Sequence, residues 1–293
     1  MAVRLRRRDA GVAALFLAPS LIPLLMFTLL PMASSLVLSL YRWDLLRPPR
    51  WLGLDNFANL LGDPDFHAAA LHTSLFIVGY LPLVYVGGLV VALGLNQRLP
   101  ASGLYRSLYF LPVVTSWVVV AFIWKWLLNP QGGVVNFVLG LVHVHGPGWW
   151  ADPHWAMPAI VLTSAWKDLG FVSVILLSGL QSIPKDYYEA AEVDGASRWS
   201  SLWSVTLPLL SPATFFVVVI SLINSFQVFD QVWVMTGGGP AGATSVIVEQ
   251  VVRNAFSYSR VGYASAMSWL LFAVILLVTL GQLRIQRRWV TYG

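Results

Sequence analysis

Cysteine is absent from this 293-residue chain, so no disulfide framework staples it and no thiolate ligates a metal. Histidine is scarce, with five in all: His67, His72, His143, His145 and His154. His143 and His145 could share an ion only with a nearby carboxylate, which they lack, so they read as solvated loop residues. Charge is scarce as well. Asp, Glu, Lys and Arg make up 11% of residues, against roughly 25% in a soluble domain. A chain so poor in charge cannot cover its own surface in water. A phosphate-binding loop is missing too, because neither Gly-Lys-Ser nor Gly-Lys-Thr occurs. Gly237-Gly238-Gly239-Pro240 is glycine-rich but has no lysine, and reads as a flexible outer turn. The chain is therefore not expected to bind ATP or any other cofactor itself. No paired carboxylates, histidine cluster or nucleophile motif points to an enzyme.

What the chain has is apolar length. Hydrophobic residues make up 57% of it, the mean hydropathy is +0.71, and the apolar residues come in long blocks. A run of about 18 or more reads as a span of the bilayer's hydrocarbon core. Six blocks qualify, roughly Gly11–Leu40, Ser74–Leu95, Leu108–Leu128, Trp155–Leu180, Leu210–Met235 and Tyr263–Leu283. Lipid-facing backbone must be helix or closed barrel, and a barrel strand would alternate apolar with polar residues. Val113–Ile123 does not alternate. The expected fold is an all-α integral membrane protein of six transmembrane helices. The first block is about twice as long as a signal peptide's apolar region of about 7–15 residues, and is expected to be a retained span.

Basic residues set the orientation. With the N-terminus inside, the cytoplasmic segments collect 11: Arg4, Arg6, Arg7, Arg8, Arg98, Arg106, Lys185, Arg198, Arg284, Arg287 and Arg288. The outer side collects 6, namely Arg42, Arg47, Arg50, Lys125, Arg253 and Arg260, while Lys167 stays inside a span. Both termini are thus expected in the cytoplasm, at the inner membrane of the cell. Trp124, Trp126, Trp149, Trp150 and Trp155 would form an outer aromatic belt. A net charge of +5 needs no nucleic acid, since an anionic lipid leaflet suffices.

Three regions follow: 1–69, an N-terminal arm with the first span and an outer segment; 70–285, the transmembrane core; and 286–293, a cytoplasmic tail. The outer segment Tyr41–Leu71 should end in a short interfacial helix starting at Phe66. The Gly-, Pro- and Trp-rich loop Asn129–His154 should lie on the outer surface. No internal repeat is evident, which disfavours a secondary transporter built of inverted repeats.

The cytoplasmic loop Ser182–Pro208 carries six charged residues, Lys185, Asp186, Glu189, Glu192, Asp194 and Arg198. Pro184 suits the start of a helix, Gly195 suits a left-handed end to it, Ser197 can cap a second helix, and Pro208 opens the next span. A connector between helices needs about 2–8 residues; this one is far longer and patterned. It is either a docking surface for a soluble partner or an interfacial loop.

Polar groups inside spans form a second candidate. Asn224, Gln227, Asp230 and Gln231 in the fifth block fall on one stripe at about 100° per residue. Trp166, Lys167 and Asp168 lie near the middle of the fourth block. These groups either line a solute path or hydrogen-bond neighbouring helices. An aromatic ring beside amides and carboxylates would suit a sugar. Lys167 and Asp168 could instead neutralise each other.

Within the charged loop, Glu189-Ala190-Ala191, then Gly195, then Val205-Thr206-Leu207-Pro208 resembles the EAA motif of permease subunits in binding-protein-dependent ABC importers. Val205 stands where the family usually has Ile. Tyr105–Leu128, Asn224–Pro240, Phe256–Met267 with its Gly262-Tyr263-Ala264-Ser265-Ala266 run, and Leu54-Asp55-Asn56-Phe57 with Asp63-Pro64-Asp65-Phe66 are similar to the maltose-type, MalF-like carbohydrate branch. The resemblance covers about Leu54 to Leu283. It implies the type I importer permease fold (MetI-like), and a coupling helix contacting an ATPase through Glu189, Ala190, Ala191, Asp194, Gly195, Leu207 and Pro208. It also implies partners: a second homologous permease, two ATPase subunits that bind ATP and Mg, an extracytoplasmic binding protein, and a sugar or sugar-like solute. A glycerol phosphate or other polyol derivative remains an alternative solute, and a secondary transporter an alternative class.

Overall fold

The computed structural model describes residues 7–97 and 102–290, and apolar sequence there takes helical form, as backbone shielded from water requires. Arg4, Arg6 and Arg98, counted above, lie outside these residues, as does the end of the tail at 291–293. Four helices among the described residues are long and apolar enough to cross a bilayer: Leu15–Leu38, Pro64–Leu95, Pro153–Ser182 and Val261–Gln286. Two bent pairs bring the number to six if each pair is one span. Ser107–Val114 meets Trp117–Leu127 at 107°, and Arg198–Leu209 meets Ser211–Phe226 at 66°.

The chain divides into two compact units. Met1–Asp63 with Val251–Leu270 form the first. It holds helices α1 (Arg7–Leu24) and α2 (Leu30–Leu38), joined by a π turn at Leu25–Leu29. Pro19 and Pro23 lie just before that turn. Each removes an N–H from the helical ladder, and a widened turn is one way to re-satisfy the backbone. A small hairpin, β1 (Tyr41–Arg42) with β2 (Arg50–Trp51), leads to α3 (Asp55–Leu61). Buried Asn56 organises this segment, since its Nδ2 donates to the carbonyls of Ser39 (2.7 Å) and Tyr41 (3.0 Å). Gly262 packs so closely on the Tyr41 carbonyl that any Cβ there would collide with it. Tyr263 Oη donates to the Asp63 carboxylate, and Trp269 Nε1 to Ser35 Oγ at 3.1 Å. The two sequence stretches around Asn56–Asp63 and Gly262–Tyr263 therefore meet.

Pro64–Gln250 with Leu271–Gly293 form the second unit. Its helices are α4 (Pro64–Leu95), α5 (Ser102–Val114), α6 (Trp117–Leu127), α7 (Val134–Leu141), α8 (Pro153–Ser182), α9 (Lys185–Val193), α10 (Arg198–Ser201), α11 (Leu207–Leu209), α12 (Ser211–Phe226), α13 (Asp230–Met235) and α14 (Ile247–Val252), whose last residues pass into the first unit; α15 (Val261–Trp289) likewise starts in the first unit and ends in the second. Buried positions on α4 recur every three or four residues, at Thr73, Phe76, Tyr80, Val84, Gly88, Ala92 and Leu95. One face is packed and the rest is left to lipid. That packed face meets α8 through small residues: a Cβ on Gly87 would lie 3.1 Å from Leu169 Cδ1, and one on Gly88 would collide with Val172. Without a hydrophobic driving force between helices in lipid, such close backbone approach is what holds a bundle together.

The structure departs from the expected boundaries in three places. The outer segment's short helix is α3, and Phe66 instead belongs to α4, which starts at Pro64, where the fixed φ of proline suits a first helical residue. The third block is broken after Val114: Pro112 precedes the break, and Thr115 turns its Oγ1 back onto the Leu111 carbonyl (3.1 Å). The fifth block does not run unbroken from Leu210 to Met235, because α12 stops at Phe226 and α13 begins at Asp230. The outer loop has order of its own. Asn136 Nδ2 reaches the Pro130 and Pro147 carbonyls, while its Oδ1 accepts from Trp149 Nε1.

Replacing Gly88 with Leu tests the close α4–α8 approach. Overpacking there should cost about 1–3 kcal/mol and lower the thermal unfolding midpoint of the detergent-purified protein by several degrees. Gly94→Leu, where no atom lies within 4 Å of a Cβ, should leave it unchanged.

Candidate functional site

At the break between α12 and α13 the backbone of Gln227, Val228 and Phe229 is not helical. Phe229 takes φ −148° and ψ −63°, and the helix resumes when Trp233 N–H bonds the Phe229 carbonyl at 2.8 Å. Non-helical backbone at membrane depth is tolerated only where protein buries it or a polar cavity receives it. Here a cavity of about 220 Å³ lies against the break. The break itself supplies Asn224, Gln227, Phe229, Asp230 and Gln231 to its wall. Helix α4 supplies Phe76 and Tyr80, α6 supplies Trp117, and α8 supplies Ser164 and Asp168.

The polar groups are not equivalent. Gln231 is buried, and its Nε2 is engaged with Ser164 Oγ at 3.2 Å. Asp168 Oδ2 accepts from Tyr80 Oη at 2.7 Å, which fixes the carboxylate against the wall. Asp230 is half-buried, in the first turn of α13, where a carboxylate faces the helix's positive end. Asn224 and Gln227 are exposed. Phe76 and Tyr80 stack with centroids 5.3 Å apart and 11° between planes, presenting apolar faces beside these hydrogen-bonding groups. The four polar residues of the fifth block thus do meet, but around a break and not along one helical stripe.

Of the three fourth-block candidates only Asp168 lines the cavity. Trp166 is 44% exposed and packs edge-on to Trp124, 5.4 Å away. Lys167 is buried, and its Nζ donates to the Val113 carbonyl at 3.2 Å while sitting 4.5 Å from the centre of the Trp117 ring. Successive helical residues point about 100° apart, so three neighbours cannot all face one cavity. Lys167 spans the bend between α5 and α6, satisfying a carbonyl near the end of α5 and resting on the aromatic residue that opens α6. Phe76, Tyr80, Trp117, Ser164 and Phe229 were not singled out in the sequence. The signal for Trp117 was the Thr115-Ser116 pair before it; aromatics within an apolar helix give none.

The charged loop forms the expected pair of short helices. Pro184 immediately precedes α9, and Asp186 sits in its first turn. At its end Ala196 N–H bonds the Ala191 carbonyl (2.9 Å) and Gly195 N–H bonds that of Glu192 (3.0 Å), with Gly195 at φ +77°. This is the Schellman arrangement, which needs a residue free to adopt positive φ. Ser197 caps α10 by accepting from Ser200 N–H at 3.2 Å. Glu189, Ala190, Asp194 and Gly195 are exposed, Ala191 is half-buried, and Tyr188 Oη lies 3.3 Å from Thr206 Oγ1 in the π turn Leu202–Thr206 that follows. Leu207 and Pro208 form the next turn, α11. Cavity and loop are thus separate features, joined by α12.

Residues 84–291 match the family described as the binding-protein-dependent transport system inner membrane component. The chain is 34% identical over 285 residues to a trehalose/maltose transport system permease protein of Thermococcus litoralis, covering 97% of this chain and 96% of that protein. It is 33% identical to a sulfoquinovosyl glycerol transport system permease protein of Agrobacterium fabrum, covering 95% and 91%. A lactose transport system permease protein of Rhizobium radiobacter is also 33% identical, covering 89% of each. Among solved structures, a bacterial ABC transporter involved in import of the acidic polysaccharide alginate superposes with a TM-score of 0.83 at 27% identity, over 96% of both chains.

The role of Lys167 is open to test. Lys167→Met would leave the Val113 carbonyl without its donor, at a cost of about 1–3 kcal/mol for an unsatisfied buried group. The unfolding midpoint of the purified protein should fall, and Lys167→Arg, which keeps a donor and a cation, should recover part of the loss.

Proposed function

Because this chain belongs to the inner-membrane components of binding-protein-dependent transport systems, as a multi-pass permease subunit of a sugar ABC importer, we propose that its solute passes through the cavity at the α12–α13 break. The observation that carries this reading is the pairing of a helix break with mixed chemistry around it. Stacked aromatic faces suit the C–H faces of a sugar ring, and amides, hydroxyls and carboxylates suit its hydroxyl edge. The exposure of Asn224 and Gln227 supports it as well, since amides at membrane depth need a polar neighbour. A second, homologous permease facing this surface, or water in the path between them, would meet that need.

The loop at 182–208 is proposed as the mechanical input. Work must enter from another chain, here two ATPase subunits that hold ATP and Mg, and α9 is rigid, exposed and charged. Glu189 would make a polar contact in a groove of the ATPase, the small Ala190 and Ala191 would allow close approach, and Gly195 would set the exit angle. Asp194, Leu207 and Pro208 would hold the second turn in register. With six spans, both termini and this loop lie in the cytoplasm, while the cavity receives solute from a binding protein outside. That arrangement agrees with the excess of basic residues on the loop's side.

Two measurements separate these roles. For the path, Gln227→Leu and Asp230→Leu should each reduce solute uptake by reconstituted importer about tenfold or more, the scale of one lost hydrogen bond to the solute, with the complex still assembled. Wild-type uptake in both variants would reject the path. For coupling, Glu189→Lys and Gly195→Val should insert normally yet lose co-purification with the ATPase, or lose the ATP turnover stimulated by liganded binding protein. Unchanged association and turnover would remove the loop from the mechanism.

A further inference from the structure

The cavity is lined by acidic side chains and no basic one. Its wall carries two carboxylates, Asp168 and Asp230, and none of its lining residues is Lys, Arg or His. Lys167 sits beside Asp168 in the sequence but is not a lining residue, and it holds its ammonium against the Val113 carbonyl and the Trp117 ring. Even counting it in full, the site has two carboxyl groups to one ammonium. Asp168 acts there as an acceptor, because Tyr80 donates to it. Its second oxygen has no other described partner, and half-buried Asp230 faces the same space.

We infer that this cavity selects against anionic solutes, so that the cargo is a neutral or amino sugar and not a uronate, a sugar phosphate or glycerol phosphate. The inference rests on the reading of the cavity as the solute path and narrows its substrate class. It also separates this chain from its solved neighbour, whose transporter imports an acidic polysaccharide. The physical reason is that like charges brought together in a partly dehydrated site repel strongly, while a carboxylate fixed in place accepts well from a sugar hydroxyl. Two hydroxyls and two acceptors pair without any net charge on the solute. A phosphate or carboxylate would face two carboxyl groups and find only neutral amide and hydroxyl donors, with no Lys, Arg or His among the lining residues to receive it.

The absence of native cysteine makes the local charge directly measurable. Single cysteines at Asn224 and Gln227 would be introduced into the assembled importer, with its ATPase subunits, in proteoliposomes. Each would be reacted with a cationic and an anionic methanethiosulfonate reagent of similar size, and the ratio of rates normalised to that of a small thiol in solution. The expected result is a preference for the cationic reagent of about tenfold or more. Asp230→Asn, and separately Asp168→Asn, should each move the ratio towards that of the free thiol. A normalised ratio near one, or a preference for the anionic reagent, would overturn the inference. Protection of the same cysteines by the transported sugar reports on the path itself. Protection without charge preference would defeat the selectivity and leave the path standing. Charge preference without protection would establish a negative cavity that is not on the path, and would defeat the inferred selection of cargo together with the path.

Discussion

A helix that stops within a membrane protein leaves N–H and C=O groups that need polar surroundings, and the surroundings of the α12–α13 break meet that constraint. At Gln227–Phe229 the ladder is interrupted. Around the interruption lie hydroxyl, amide and carboxylate groups from α8 and α13, with Tyr80 brought in from α4. The α5–α6 bend poses the same problem on a smaller scale, and Lys167 answers it at the Val113 carbonyl. An expensive buried ammonium is thus retained where a carbonyl and an aromatic face both receive it. Cavity and bend share a residue pair in sequence, Lys167-Asp168, with one member assigned to each.

Such breaks hold their shape only if the helices around them do not slide. Gly88 on α4 admits Val172 of α8 at a distance that leaves no room for a Cβ, while a Cβ at Gly79 or Gly87 would sit tightly, 3.3 Å from Val161 and 3.1 Å from Leu169. Gly170 makes the same kind of contact with the Tyr109 carbonyl of α5, and Gly179 with Ala213 and Leu210 beside α12. The glycines of α8 thus seat it against its neighbours on more than one side. Asp168 and Ser164 are both carried by this helix; the partner of Asp168 is Tyr80 on the long α4, and the partner of Ser164 is Gln231 on the short α13.

How much of this was legible in the sequence differs by element, for physical reasons. The loop at 182–208 was readable because its signals act within a few residues: a proline starts a helix, a glycine at positive φ ends it, and a serine caps the next. The α12–α13 break was not readable. Gln227-Val228-Phe229 contains no glycine or proline, so the interruption comes from surroundings assembled by distant segments. The aromatic wall was hidden for a related reason, since Phe76 and Tyr80 in an apolar helix look like core until α8 is placed opposite them. The choice among Trp166, Lys167 and Asp168 was decidable in part, because helical geometry allows only one of three neighbours to face a given point. The outer motifs gained their explanation only from the fold, which brings Asn56 to the Tyr41 carbonyl and Gly262 onto the same atom.

The order of elements along the chain also bears on how work would reach the solute. Helix α9 is tied to the π turn Leu202–Thr206 by the Tyr188–Thr206 contact, and that turn runs through α11 directly into α12. The far end of α12 is the break that lines the cavity. On the proposed reading, a displacement imposed on α9 needs no long network of side chains. It acts on one end of a 16-residue helix whose other end carries Asn224 and leads to Gln227. A helix transmits such a push because its backbone bonds resist compression, and α12 is flanked by a bend of 66° before Ser211 and by the break after Phe226. A stiff rod between two joints is the arrangement a lever requires. Here one joint lies beside the charged surface loop and the other against the polar cavity.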